Sequence, residues 1–112
     1  MKIIKSQKGN IMMVLKEVES ISDKEIKPNS VDASFEKHVP VLEVTGDSVY
    51  IAVNHVMERD HYIEWIMVDY GDKQIIKHFS PGDVASMIVN YKFGMKVYSY
   101  CNKHGLWVSE EI

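Results

Sequence analysis

Residues 39–53, VPVLEVTGDSVYIAV, decide the fold class. Val39 to Thr45 and Ser48 to Val53 are β-branched runs, and the pair between them, Gly46-Asp47, is a two-residue loop of the kind that closes a tight hairpin. The device recurs downstream, where Ile63 to Tyr70 and Lys73 to Phe79 flank Gly71-Asp72. Ser80-Pro81-Gly82-Asp83 then turns the chain into Val84 to Tyr91, Gly94 separates that run from Met95 to Tyr100, and Leu106 to Ser109 closes the series. About seven short strands at spacings near ten residues, with weak helical periodicity, predict an all-β, immunoglobulin-like β-sandwich over residues 35–112. The first 34 residues differ. A short apolar run, Ile11 to Leu15, precedes a polar stretch containing Pro28-Asn29-Ser30, which reads as a small N-terminal appendage and linker.

Composition narrows the function classes. The chain has 112 residues, 46% of them hydrophobic and 26% charged, which is the size and balance of one globular domain. Its net charge is −3, and no run of cations supplies the basic stripe that nucleic-acid binding needs. No apolar stretch has the length of a signal peptide or a membrane span, so a cytoplasmic protein with no membrane association is expected. Cys101 is the single cysteine. It forms no intramolecular disulfide, which agrees with a reducing compartment, and is buried filler, a nucleophile or a metal ligand.

Four of the five histidines stand where strands begin or end. His38 opens the first strand of the sandwich, His55 and His61 bracket the loop Val56-Met57-Glu58-Arg59-Asp60, and His104 follows Cys101 by three residues. All three places can converge at one end of a sandwich. Each signal is weak alone, since an isolated histidine is commonly an ordinary polar residue and C-x-x-H spacing is common.

Taken together, three segments resemble the superoxide reductase family, which comprises the neelaredoxins and the two-domain desulfoferrodoxins. They are Glu36-Lys37-His38-Val39-Pro40-Val41, then His55-Val56-Met57 with His61-Tyr62-Ile63-Glu64-Trp65-Ile66, and Tyr100-Cys101-Asn102-Lys103-His104-Gly105-Leu106-Trp107. Pro81-Gly82-Asp83 also matches a turn of that family. The resemblance implies one non-haem iron per chain, with His38, His55, His61 and His104 in a plane and Cys101 on the axis. It implies that Glu36 can occupy the sixth position in the oxidised state and that Lys37 lies over the open site. The implied reaction is one-electron reduction of superoxide to hydrogen peroxide, with a rubredoxin-like electron donor. By analogy with the two-domain relatives, a homo-oligomer is expected.

The chain departs from the family pattern in two places. Val56 stands where proline usually follows the second histidine, which leaves the ligands unchanged. Lys5-Ser6-Gln7-Lys8-Gly9-Asn10 resembles the C-x-x-C-G-N stretch of a desulforedoxin-type segment, but lysines occupy both cysteine positions, so the appendage is expected to bind no second iron. His78 lies between Lys77 and Phe79 in a strand and is read as structural. Trp65, Trp107, Tyr62 and Tyr100 are read as core or as a shield for the metal, and Glu58, Arg59 and Asp60 as solvated. Two other readings stand beside the enzyme: a non-enzymatic iron- or zinc-binding electron-transfer sandwich, and an immunoglobulin-like interaction domain whose histidines are coincidental.

Overall fold

The computed structural model describes residues 2–112. Among them, ten strands form three sheets, with a single helical turn between the third and fourth strands. The strands are β1 (Lys2–Lys5), β2 (Ile11–Val14), β3 (Lys24–Glu25), β4 (Val41–Thr45), β5 (Ser48–Ala52), β6 (Ile63–Asp69), β7 (Gln74–His78), β8 (Ser86–Asn90), β9 (Lys96–Cys101) and β10 (Gly105–Val108); the turn is α1 (Phe35–His38). The seven strands from β4 onward make the predicted sandwich, with order β4-β5-β8 in one sheet and β10-β9-β6-β7 in the other. The first hairpin is as read from the sequence. Thr45 pairs with Ser48, and Gly46 adopts the positive φ of 59° that a two-residue loop with glycine first requires.

Between the two sheets lies a core of Val49, Ile51, Val53, Ile63, Ile66, Val68, Phe79, Ala85, Val89, Met95, Val97 and Cys101. Strand alternation places these residues inward. In β6 the alternation is interrupted, because a register shift between Ile63 and Trp65 inserts an extra residue against β9. The bulge turns both Ile63 and Ile66 into the same core although they are three positions apart, and turns Trp65 and Met67 to the opposite face.

That opposite face is covered by the N-terminal segment. Its sheet, β2-β1-β3, sets Ile3 against Met67, Tyr98, Tyr100 and Leu106, with Ile11, Met13 and Ile26 around them. The four-stranded sheet is therefore the middle of three layers. Asn29 fixes the return of the chain, its side chain donating to Val108 O (3.2 Å) and accepting from Val108 N–H (2.9 Å). The segment expected to be an appendage and linker thus carries three strands and packs on the sandwich.

Candidate metal centre

One helical turn, two loops and one strand end meet at one edge of the sandwich. His38 does not open β4 as expected; it ends α1, and β4 begins at Val41. Pro40 has no N–H and biases Val39 to extended backbone, so the helical turn stops there, closed by Val39 N–H to Phe35 O (2.8 Å). Ser99 of β9 is buried and donates its hydroxyl to His38 O (2.5 Å), tying the turn to the sheet. His55 and His61 lie on either side of a small turn in which Glu58 and His61 pair antiparallel. Cys101 is the last residue of β9 and is fully buried, pointing between the sheets. His104 sits in the β9–β10 connection, where Gly105 takes a φ of 79° that other residues rarely adopt and lets the chain reverse at once.

These five side chains form one cluster. Their ligand atoms all lie within 4.8 Å of one another. The imidazoles make a closed circuit, with centroid separations of 4.8 Å for His38–His55, 4.6 Å for His55–His61, 5.1 Å for His61–His104 and 4.9 Å for His104–His38. Cys101 Sγ is 3.5 Å from His55 Nε2 and 3.9 Å from His104 Nδ1, and it accepts the His104 N–H at 3.4 Å. Outer nitrogens are held by backbone: His38 Nδ1 donates to Ser34 O at 2.6 Å and His55 Nδ1 to Val56 O at 2.5 Å. That fixes the tautomers and leaves each Nε2 an acceptor facing the cluster, where His38 Nε2 lies 3.1 Å from His104 Nδ1. Trp107 is fully buried, stacks on His38 at 4.8 Å and donates Nε1–H to His104 O at 3.1 Å.

The cluster fits a metal on its own chemistry. His61 Nε2 is buried without any hydrogen-bond partner, a costly state that a ligated cation would relieve. Burial pushes the His38, His55 and His61 imidazoles below the ordinary histidine range, and neighbouring imidazoles add to the effect, although the Ser34 and Val56 carbonyls pull the first two partly back. Neutral imidazole is the form that binds metal. Five donors of this kind exceed the four that structural zinc takes, and four imidazoles with one sulfur suit iron.

A cavity of about 480 Å³ opens beside the cluster, lined by all four histidines together with Lys37, Asp32 and Glu58. Lys37 lines this cavity, and its charge contributes to the depression of His38 and His55. Glu36 is exposed on the same helical turn and is not among the residues that line the cavity. Glu58 and Asp32 were not singled out for the site from the sequence. Nothing in their local sequence marks them, because their place depends on the turn before His61 and on the approach to α1. His78 ends β7 opposite Trp65, on the face covered by the N-terminal sheet, beside Met13 and Ile76. His78→Gln is therefore expected to leave iron content and the oxidised spectrum unchanged and to cost about 1 kcal/mol or less in thermal unfolding, the scale of a substitution away from core and metal.

The desulfoferrodoxin family model matches residues 30–110, a span that contains α1, the whole sandwich and all five clustered residues. The chain belongs to the desulfoferrodoxin family. A desulfoferrodoxin of Syntrophotalea carbinolica is 44% identical over 89 residues, covering 76% of this chain and 71% of that one. A superoxide reductase of Pyrococcus horikoshii is 31% identical over 104 residues, covering 72% of this chain and 90% of the relative. The crystal structure of the superoxide reductase from Treponema pallidum superposes with a TM-score of 0.72 at 24% identity, covering 96% of this chain and 98% of that one, and so shares its fold. Desulfoferrodoxins bind iron, and the cluster in this member of the family supplies the donors for one ion.

Proposed function

We propose that this chain is a superoxide reductase in which His38, His55, His61, His104 and Cys101 hold one iron. The observation that carries the reading is the closed circuit of four imidazoles with a buried sulfur against it, beside an open cavity that a lysine lines. When bound, the iron supplies the single electron that superoxide takes up, and an external donor returns it. With that electron and two protons, superoxide becomes hydrogen peroxide. The open cavity speaks against a closed site that serves structure alone.

The protein's own groups then have distinct work. Lys37 places a positive charge at the cavity where an anion must enter, and charge in a cleft raises capture rates by about tenfold or more. The same ammonium orders water, the proton source, without giving up its own proton. Cys101 would hold the ion from inside the sandwich and, as a thiolate, would donate electron density to it. The family resemblance supports a role for Glu36 at the ion in the oxidised state; its side chain, exposed on α1 and outside the cavity lining, would have to turn inward to take it.

Lys37→Ala is expected to slow superoxide capture about tenfold and to flatten its dependence on ionic strength, with Lys37→Arg restoring most of the rate. Pulse radiolysis measures both. An alanine variant as fast as wild type would remove the steering role.

The electron donor is a rubredoxin-like protein, a reading supported by the family resemblance. Among the described residues no helix is long and apolar enough to cross a membrane, and together with the unpaired cysteine this supports a cytoplasmic setting. A homo-oligomer is supported by the open edge of β7, where Ile75 and Ile76 are exposed. Residues 1–34 form an N-terminal unit without the cysteines of a second iron site, and residues 35–112 form the iron-binding sandwich. Elemental analysis of fully loaded protein is expected to give one iron per chain, and two would contradict this division.

A further inference from the structure

We propose that Glu58 is the positioning residue of His61: with metal bound at Nε2, its carboxylate accepts the hydrogen bond from that ring's outer N–H. The inference rests on the reading of the cluster as an iron site. A histidine that binds metal through one nitrogen carries its proton on the other, and ligating histidines almost always hand that proton to a carboxylate, a carbonyl or water. His38 and His55 have this arrangement, with the Ser34 and Val56 carbonyls as acceptors. His61 has its inner nitrogen buried without a partner and, among the described residues, no protein acceptor on its outer nitrogen.

Glu58 is built to supply one. Its N–H donates to His61 O at 2.9 Å and its carbonyl accepts the His61 N–H at 3.2 Å, so the two residues form a hydrogen-bonded antiparallel pair. Side chains of such a pair leave the backbone on the same face with Cβ atoms about 5 Å apart, within the span of a glutamate and an imidazole. Both residues line the cavity. Among the described residues no ion pair or side-chain hydrogen bond engages the Glu58 carboxylate, and Glu58 is exposed, so it is free to turn onto the ring. Asp32 lines the same cavity but has no such backbone tie to a clustered histidine.

The test loads wild type, Glu58→Gln, Glu58→Ala and Asp32→Asn with ferrous iron under anaerobic conditions. It measures how fast a chelator strips the metal and the midpoint potential of the iron couple, with thermal unfolding of the metal-free proteins as a control for folding. Glu58→Ala is expected to lose iron roughly tenfold faster or more, because the ring is less firmly held and less basic, and Glu58→Gln, whose amide oxygen still accepts the N–H, is expected to fall between alanine and wild type. Their midpoint potentials are expected to rise, since an anion that favours the oxidised state is gone. Asp32→Asn, which removes a charge from the same cavity, is expected to release iron at the wild-type rate. Wild-type iron retention and potential in the Glu58 variants would overturn this inference alone, as would an equal effect of Asp32→Asn. A wild type that holds no iron would overturn the iron reading and this inference with it.

Discussion

Replacing Cys101 by serine is expected to abolish the visible charge-transfer band of the oxidised protein and nearly all superoxide reduction. The sulfur lies inside the sandwich, 3.5 Å from His55 Nε2, and the His104 N–H is directed at it. No other side chain can take its place, because it is the single cysteine and it is buried in the apolar core beside Ile63, its partner in the β6–β9 pairing. A serine hydroxyl is a hard, weakly donating ligand, so the low-energy transition from sulfur to iron vanishes with the electron density that assists the reaction. The four imidazoles remain, so some iron is expected to bind. Burying a hydroxyl there costs about 1–3 kcal/mol where it finds no partner, and Cys101→Ala separates that cost from the loss of ligand. Absorption spectra and superoxide consumption of the two iron-loaded variants check this. A serine variant that retained the band would exclude Cys101 as a ligand.

Trp107→Ala is expected to destabilise the protein by about 3–5 kcal/mol, the usual cost of removing a large buried aromatic, and to lower iron occupancy with it. Its indole is fully buried and joins two clustered histidines: its face stacks on His38 with an interplanar angle of 21°, and its N–H holds the His104 carbonyl. Phe35 also packs against it edge-to-face at 5.2 Å, so the same ring supports the turn that carries His38. Trp107→Phe keeps a stacked ring but loses the hydrogen bond, and is expected to fall between alanine and wild type in both measurements. Calorimetric unfolding of metal-free protein and iron content after loading give the two quantities. A Trp107→Ala protein with full iron occupancy would show that His38 and His104 are oriented without it.

The seven sandwich strands were legible because their ends are marked locally. Gly46-Asp47 and Gly71-Asp72 punctuate alternating runs, and β4 to β7 fall within one or two residues of the expected limits. Where the alternation itself breaks, no local signal marks the place. The bulge at Ile63 and Trp65 is a matter of pairing with β9, which no single run of residues encodes. The position of His38 was misread for a different reason: one helical turn is too short to show a period, although Pro40 marks its end. Val84 was expected within a strand but is exposed ahead of β8, because the Ser80–Asp83 turn runs on into a tight bend closed by Ser86 N–H to Val84 O.

The N-terminal segment was the least legible part. Its strands have four, four and two residues, and Ile3, Ile11, Met13 and Ile26 pack against the sheet, so a polar composition hides a packed layer. For the site, residue types and order were enough to nominate the four histidines and Cys101, and the fold brings all five together. Their supports were out of reach. The Ser34 and Val56 carbonyls carry no side-chain signature, and the cavity places of Glu58 and Asp32 follow from a turn and an approach path that only the assembled fold defines.

Mixing the ferrous-loaded protein with superoxide, in the presence of an electron donor, and counting the peroxide formed tests the central claim most directly. A reductase gives one hydrogen peroxide for each superoxide consumed and no dioxygen, as the oxidised protein shows its visible band and the donor bleaches it. One peroxide for every two superoxide consumed, with dioxygen released, or ferrous protein left unoxidised by superoxide, would contradict the account.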